Sequence, residues 1–495
     1  MATFAHPVIG QVVGKEADKC TQFLGIKYAT LRDRFAVAEL LRHDGSGIDA
    51  TKYGPQVISP EQGVDIELGF IQQSLPKPEF PGLSEVDGLN LNITVPGSVT
   101  DAQPTKSLPV VVFIHGGGFN IGSNWWPQSD FAALVRLSTE LGKPMIGINI
   151  NYRLGALGFL TSPELRAAGY KPNNGLRDQK TALRWIRENI SGFGGNPDDI
   201  TVMGQSAGAA MDLLGLQNTP SAGMVERLLE LPVHDLFTKM TPAVPFLPTV
   251  DGDIIPRPFT FDTFASETAH MKSRQWIERV LLVYSKLDAS IMAYAGLLPR
   301  KNGIAAAFRA SATKSLQDHP EALASLLEQY SLGTSPPTTD DEALMNILRL
   351  MSDVAFFLPT VDFANKFANR TFVVVFNEPN PWDGLFKGHA SHLLDVAFLF
   401  QNFNASLKDV QRAGAVAFGE DTIAYVNGET PWKVDVSDDG ERSIGAYADG
   451  KRLGPGEEGT QQEMHRRHLV LGLARDNGGP GLDALVRVVT DFMSG

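Results

Sequence analysis

Through the middle of the chain, short apolar runs rich in β-branched residues alternate with stretches whose apolar residues fall at helical spacing, and this alternation restricts the fold more than any other feature. Extended segments are expected at 8–14, 21–28, 89–95, 108–114, 145–152, 199–203, 280–284 and 371–376, with helices between the later ones. A helix that returns the chain to a neighbouring strand makes a parallel crossover, so the class is α/β: a mostly parallel central sheet with helices on both faces. The early, closely spaced strands predict an antiparallel edge, and 256–278 and 289–350 predict a helical cap. The 495 residues suffice for one large core, so a single domain with lobes over 1–495 is expected. The most linker-like stretch, SLGTSPPTTDDEA from Ser331, reads as an exposed loop within it.

One of these strands, DITVM at 199–203, follows the helix-spaced TALRWIRENI and runs into Gly204-Gln205-Ser206-Ala207-Gly208. A serine hydroxyl is a weak nucleophile until a sharp strand-to-helix turn projects it beside a base, and flanking glycines leave room for that turn. Alone the pattern is weak in a chain with 48 glycines, where an ordinary Gly-rich turn is an equal reading. A second element adds weight: LPVVVFI at 108–114 leads into His115-Gly116-Gly117-Gly118-Phe119, where three glycines let a loop leave a buried strand with its amides free. Acyl transfer places negative charge on a carbonyl oxygen, and aimed N–H groups stabilise it by about 3 kcal/mol each. Gly117, Gly118 and Ala207 are the expected donors. No GKS/GKT or Gly-x-Gly-x-x-Gly fingerprint follows, which argues against a nucleotide loop.

Hydrolases built this way run nucleophile, acid, histidine along the chain. His6, His43 and His115 precede Ser206, and His465 and His468 fall in EMHRRHLVLGLARD, which reads as a surface helix. Of the others, His389 and His392 are the best placed, both after the strand-like TFVVVF and the loop NEPNPWDGLFKG. For the acid, the strand RVLLVY ends in Ser285-Lys286-Leu287-Asp288, which puts Asp288 at a strand's C-terminal edge, where a carboxylate can orient the imidazole. Asp251 and Asp253 are rivals, but TVDGDIIP reads as a turn, where aspartate is common for local reasons.

Taken together, FLGIKYA with Arg34-Phe35, GLNLNITVP, HGGGF, NYRLGALGFL, the block 173–210, TVDGDIIP and FNEPNPWDGLFKGHASHLLDVAFLFQN resemble the type-B carboxylesterases, relatives of the cholinesterases within the α/β-hydrolase fold, and most closely their fungal branch. The likeness spans most of the chain. It implies a serine carboxylic-ester hydrolase with an acyl-enzyme on Ser206, His392 as base and Asp288 as orienting acid. The family's histidine is followed at the third position by an acidic residue and then an apolar segment ending in Phe, which His392 with Asp395 and FLF matches and His389 does not. The same likeness implies Gly117, Gly118 and Ala207 as the oxyanion hole. Phe119, Trp125, Trp126, Trp382 and Phe386 flank these loops as candidates for an apolar substrate pocket, with packing the commoner role for most.

Three departures qualify the likeness. Relatives usually carry a cysteine where Gly88 stands, and Cys20 is the chain's one cysteine, so no intramolecular disulfide is possible. Asp288 lies between Leu287 and Ala289 instead of the usual acidic residue and glycine. After Ser206, relatives continue into a further strand, whereas 211–248 reads as broken helix and loop, so a sheet strand is expected to be lacking there. Two alternatives follow: a non-catalytic or truncated binding protein of the same fold, and an acyl transferase or lactone-directed enzyme with the same triad.

The formal charge of −13 disfavours nucleic acid as a partner. No Cys/His cluster has metal-ligand spacing, so neither metal nor cofactor is expected, and a small ester is the expected substrate. No run approaches the roughly 18 apolar residues of a membrane span, and MATFAHPVIGQVVG lacks the basic and apolar regions of a signal peptide. With one cysteine, a cytoplasmic, reducing setting is expected. The oligomeric state is left open.

Overall fold

The computed structural model describes residues 1–97, 107–208, 229, 232, 246–258, 260–261, 277–333, 339–367, 370–432, 442–453, 459–475 and 479–495. Strands β1 (Ala2–His6), β2 (Gly10–Ala17), β3 (Cys20–Lys27), β4 (Ala29–Thr30), β5 (Glu39–Leu40), β6 (Ile48–Ala50) and β7 (Asn90–Pro96) come first. They are followed by β8 (Leu108–Ile114), β9 (Ile146–Ile150) and β10 (Gly195–Gly204), then β11 (Arg279–Ser285), β12 (Arg370–Phe376), β13 (Arg442–Ala448) and β14 (Lys451–Leu453). One sheet has the order β1-β2-β3-β7-β9-β8-β10, with β6 on β2, and a second has the order β11-β12-β13-β14. Pairings from β1 through β7 to β9 are antiparallel, whereas β9–β8, β8–β10, β11–β12 and β12–β13 are parallel. The strands that carry the candidate residues therefore form the parallel part, flanked by helices, as an α/β fold requires.

The parallel strands are apolar on both faces because both are covered: β9 is buried throughout, and β8 and β12 are buried from Val110 and Thr371 onward. β10 and β11 differ. Each pairs on one side alone among the described residues, and Val202 of β10 is 48% exposed. The expected strand loss at 211–248 falls outside the described residues apart from 229, 232 and 246–248. The two sheets share a core instead: Val111 and Phe113 of β8 and Phe372, Val374 and Phe376 of β12 belong to one apolar cluster with Leu134, Leu394, Phe398 and Phe418.

Helices over 290–292, Ile304–Ser315, Pro320–Gln329 and Asp340–Ser352 bear out the helical reading of 289–350, while most of 256–278 lies outside the described residues. One expectation needs correction. The helical run Asp340–Lys366 is long and apolar enough, by length and composition, to cross a membrane. Its interruptions by Asp353 and Pro359 hid it in the sequence, and 61% of its most apolar window is buried, as in the core helix of a folded domain. The Gln461–Ala474 helix is likewise not purely a surface element: Arg467 Nε reaches Asp353 Oδ1 at 3.2 Å, and its guanidinium lies 4.7 Å from the Phe357 ring centre.

A buried ion pair joins the segments that lead to the candidate site. Arg153, just past β9, donates from Nε and Nη2 to Asp178 Oδ2 and Oδ1 at 2.8 and 2.7 Å, and from Nη1 to the carbonyls of Arg34 and Ala36 at 3.1 and 2.7 Å. Asp178 also accepts the Arg153 backbone N–H at 3.0 Å. It sits in the Asn174–Asn189 helix, whose Asn174 holds Phe35 O at 2.9 Å. Gly88 packs on Val57 so closely that a Cβ would come 2.8 Å from Val57 Cα, so a side chain at 88 would require the neighbouring backbone to shift.

Removing one partner of a buried pair strands the other's charge. Asp178→Ala is therefore expected to lower unfolding stability by about 3–5 kcal/mol, measured by urea denaturation; a loss below about 1 kcal/mol would show that the guanidinium finds other partners.

Candidate active site

Strand β8 and strand β10 end side by side, with Ile114 opposite Gly204, so the loops that follow them are neighbours from the start. Gln205 N–H donates to Ile114 O at 3.2 Å, which pins the turn to β8. Ser206 then adopts φ +50°, left-handed backbone that a side chain tolerates only under constraint, and it opens a short 3-10 turn, Ser206–Gly208. Its side chain is exposed and, among the described residues, makes no hydrogen bond. Gly116 is required by this approach: a Cβ there would lie 2.0 Å from Gln205 Oε1 and 2.6 Å from Gln205 O.

Gly117, Gly118 and Phe119 follow with φ of +98°, +60° and +60°. Glycine reaches this left-handed backbone without a steric penalty, which explains the residue type at the first two positions. The Gly117 carbonyl accepts from Asn120 and Ile121, both at 3.0 Å, while the N–H groups of Gly117 and Gly118 donate to nothing among the described residues. The loop's base is held by Tyr152, whose hydroxyl donates to His115 O at 2.9 Å and whose ring stacks on the His115 imidazole at 4.6 Å. Burial pushes the His115 pKa down to about 4, which keeps that ring neutral.

Beyond β11, Lys286 N–H donates to Phe376 O at 3.0 Å and Leu287 N–H to Ala390 O at 2.9 Å. These bonds draw the acid loop and the histidine loop together. Asp288 Oδ2 accepts Ser285 N–H at 3.0 Å, Ser290 Oγ accepts His392 N–H at 2.8 Å, and His392 Nδ1 stands 2.5 Å from Asp288 Oδ1. Both side chains are buried. The rivals have other partners: Asp251 and Asp253 pair with Arg177 at 3.0 and 2.8 Å, and His389 N–H donates to Phe386 O at 3.0 Å.

The other ring nitrogen of His392 meets Gln205, not Ser206: its Nε2 lies 3.3 Å from Gln205 Nε2. The structure thus brings Asp288 and His392 into contact and sets Ser206 one residue from the group that touches them. Buried carboxyls surround the ring. Burial opposes the His392 charge, but the Asp288 hydrogen bond and charge, then Asp395 and Glu67, hold its pKa above the usual value. Burial and the Asp288 charge push Asp395 up to about 6, and burial pushes Glu67 up to about 7.

Glu67 has a sequence signal in retrospect: in GVDIELGFI it falls on the same helical face as Val64, Leu68 and Ile71, an acid on a buried stripe. It accepts from Gln128 Nε2 at 2.9 Å, and Gln128 Oε1 is buried without a partner, a fit for a protonated carboxyl. The aromatic candidates Phe119, Trp125, Trp126, Trp382 and Phe386 are all buried, engaged with neighbours such as Phe159, Gln56, Phe403 and Tyr294. Among the described residues, no group of three or more His, Cys, Asp or Glu could hold a metal.

The sequence pattern of the carboxylesterase family matches residues 3–230 and 212–426, two stretches that overlap past the Ser206 turn. Para-nitrobenzyl esterase of Bacillus subtilis is 37% identical over 216 residues, 43% of this chain and 40% of that protein. Lipase 1 of Yarrowia lipolytica is 38% identical over 213 residues, 42% of this chain and 40% of that one. Lipase 4 of Diutina rugosa is 36% identical over 176 residues, with 33% and 30% covered. Each alignment thus spans well under half of the relative's length. Solved structures of PNB esterase and of juvenile hormone esterase from Manduca sexta superpose with a TM-score of 0.68 each, at 21% and 20% identity, over 94% and 95% of this chain and 99% of each of those chains. At that identity the likeness speaks to the fold, which is that of the α/β-hydrolases.

Glu67 has a consequence for stability. Its folded pKa, about 7, exceeds the ordinary 4.5, so the folded state keeps a proton that the unfolded chain has lost and stability falls as pH rises from 4.5 through 7. Glu67→Gln mimics the protonated acid and is expected to flatten that slope by on the order of 2 kcal/mol, read from urea midpoints at pH 5 and 7.5; an unchanged slope would mean Glu67 is ionised throughout.

Proposed function

Because this chain belongs to the carboxylesterase family, we propose that it is a carboxylic-ester hydrolase that works through an acyl-enzyme on Ser206. The observation that carries the reading is the buried Asp288–His392 pair, 2.5 Å apart, on loops that converge beside the strained Ser206 turn and the Gly117–Gly118 amides. Asp288 holds the imidazole with its proton on Nδ1 and leaves Nε2 as the base. His392 Nε2 takes the Ser206 proton as Oγ attacks the ester carbonyl carbon. The oxyanion that forms lies against the amides of Gly117, Gly118 and Ala207. Collapse of the intermediate expels the alkoxide, which takes the proton from His392. Water, deprotonated by the same nitrogen, then attacks the acyl-enzyme, and departure of Ser206 Oγ as the protonated hydroxyl yields the acid.

Small carboxylic esters are the proposed substrates, in keeping with relatives named as a para-nitrobenzyl esterase and lipases. A reducing compartment is the proposed setting, since the one cysteine, Cys20, is buried and unpaired. One observation favours a second reading, a folded member of the family that does not acylate: His392 Nε2 faces Gln205 in this conformation, and Ser206 does not touch it.

Fluorophosphonate treatment followed by mass spectrometry separates the two. Under the esterase reading the adduct maps to Ser206 and disappears in Ser206→Ala. Hydrolysis of para-nitrophenyl butyrate is expected to fall on the order of 10⁶-fold in His392→Ala and about 10⁴-fold in Asp288→Asn. A folded protein that neither labels nor hydrolyses belongs to the second reading.

A further inference from the structure

We propose that Gln205 is a positioning residue that holds the His392 imidazole as a neutral base in the resting enzyme and yields its place to Ser206 when acylation begins. The inference rests on the ester-hydrolase reading and deepens it.

The Gln205 side chain is buried and wedged between the two loops of the site. Its Nε2 stands 3.3 Å from His392 Nε2, its Oε1 lies over the Gly116 Cα, and its backbone N–H is tied to Ile114. With Nδ1 committed to Asp288, a neutral His392 carries its proton there and a lone pair on Nε2. An amide N–H is matched to that lone pair. It cannot take the proton away, and it repels the N–H that would appear on Nε2 if the ring were protonated. Oε1, which could accept such an N–H, is turned toward Gly116.

The need for such a donor follows from what else faces the ring. Asp288 from the acid loop, Asp395 from the Leu394–Leu399 helix just after the ring and Glu67 from the Gly63–Ile71 helix all favour the imidazolium, which is useless as a base. Burial and the Gln205 amide oppose them. Phe356, whose ring centre is 6.2 Å from that of His392, contributes no charge. Ser206 is the next residue in the chain, exposed and with no hydrogen-bond partner among the described residues, so displacement of the Gln205 amide would free Nε2 for a hydroxyl donor. The exchange moves no proton and breaks no covalent bond.

Two variants test this, with His392→Gln used to assign the imidazole signal in the NMR titration. Gln205→Glu places a carboxylate at Nε2 and is expected to raise the His392 midpoint by about one pH unit or more, a tenfold gain in proton affinity. The acid limb of kcat/KM for para-nitrophenyl butyrate is expected to move to higher pH by the same amount. Gln205→Ala is expected to raise the midpoint less, and it serves alone if the glutamate variant fails to fold. A purely structural role would lower rates at all pH values and leave both midpoints where they are, and that result overturns the proposal. If the midpoint moves in a protein that neither hydrolyses nor labels, the positioning of His392 stands and the esterase reading falls.

Discussion

The ion pair between Arg153 and Asp178 is the constraint on which the first half of the fold depends. Both side chains are essentially shut off from solvent, and the guanidinium is spoken for at every face: two bonds to the carboxylate and two to carbonyls of the segment after β4. A charge pair buried so deeply is tolerated only when its geometry is this complete. What it secures is relative position. The exit of β9, the N-terminal segment around Phe35 and the helix that feeds β10 are locked to one another, and the Ser206 turn inherits its place from that helix.

The second half is organised by backbone hydrogen bonds and not by buried charge. Leu287 and Lys286 donate to carbonyls at the ends of two other segments, so the acid loop and the histidine loop are stitched before any side chain meets. Asp288 and His392 then face each other with little freedom left, each fixed by an additional bond to its own or the facing loop. The two halves communicate through the shared aromatic core of β8 and β12, since no described strand bridges β10 and β11. Residues from both sides must reach one point, and at present the point of contact is the Gln205 amide.

Much of this was legible in the residues, for identifiable reasons. Strands buried on both faces announce themselves by unbroken apolar runs, and all eight expected extended segments overlap observed strands. The placement of Asp288 just past a strand's end was likewise readable from the apolar run before it. The hairpin of β13 and β14 was missed although its turn is signed by Asp449-Gly450, both left-handed at φ +53° and +77°, because its strands carry small and polar residues. Glu67 was missed because a buried acid is named by its neighbours in space, and Gln128 and His392 are distant in sequence. The five aromatic candidates flank the loops as expected, but their burial fits the packing role that sequence order alone could not separate from pocket lining.

The left-handed backbone at Ser206 has an evolutionary consequence. Holding a side-chain-bearing residue there costs on the order of 1–2 kcal/mol, a penalty glycine would escape. Selection for thermal robustness alone would favour glycine there, at the loss of the proposed nucleophile.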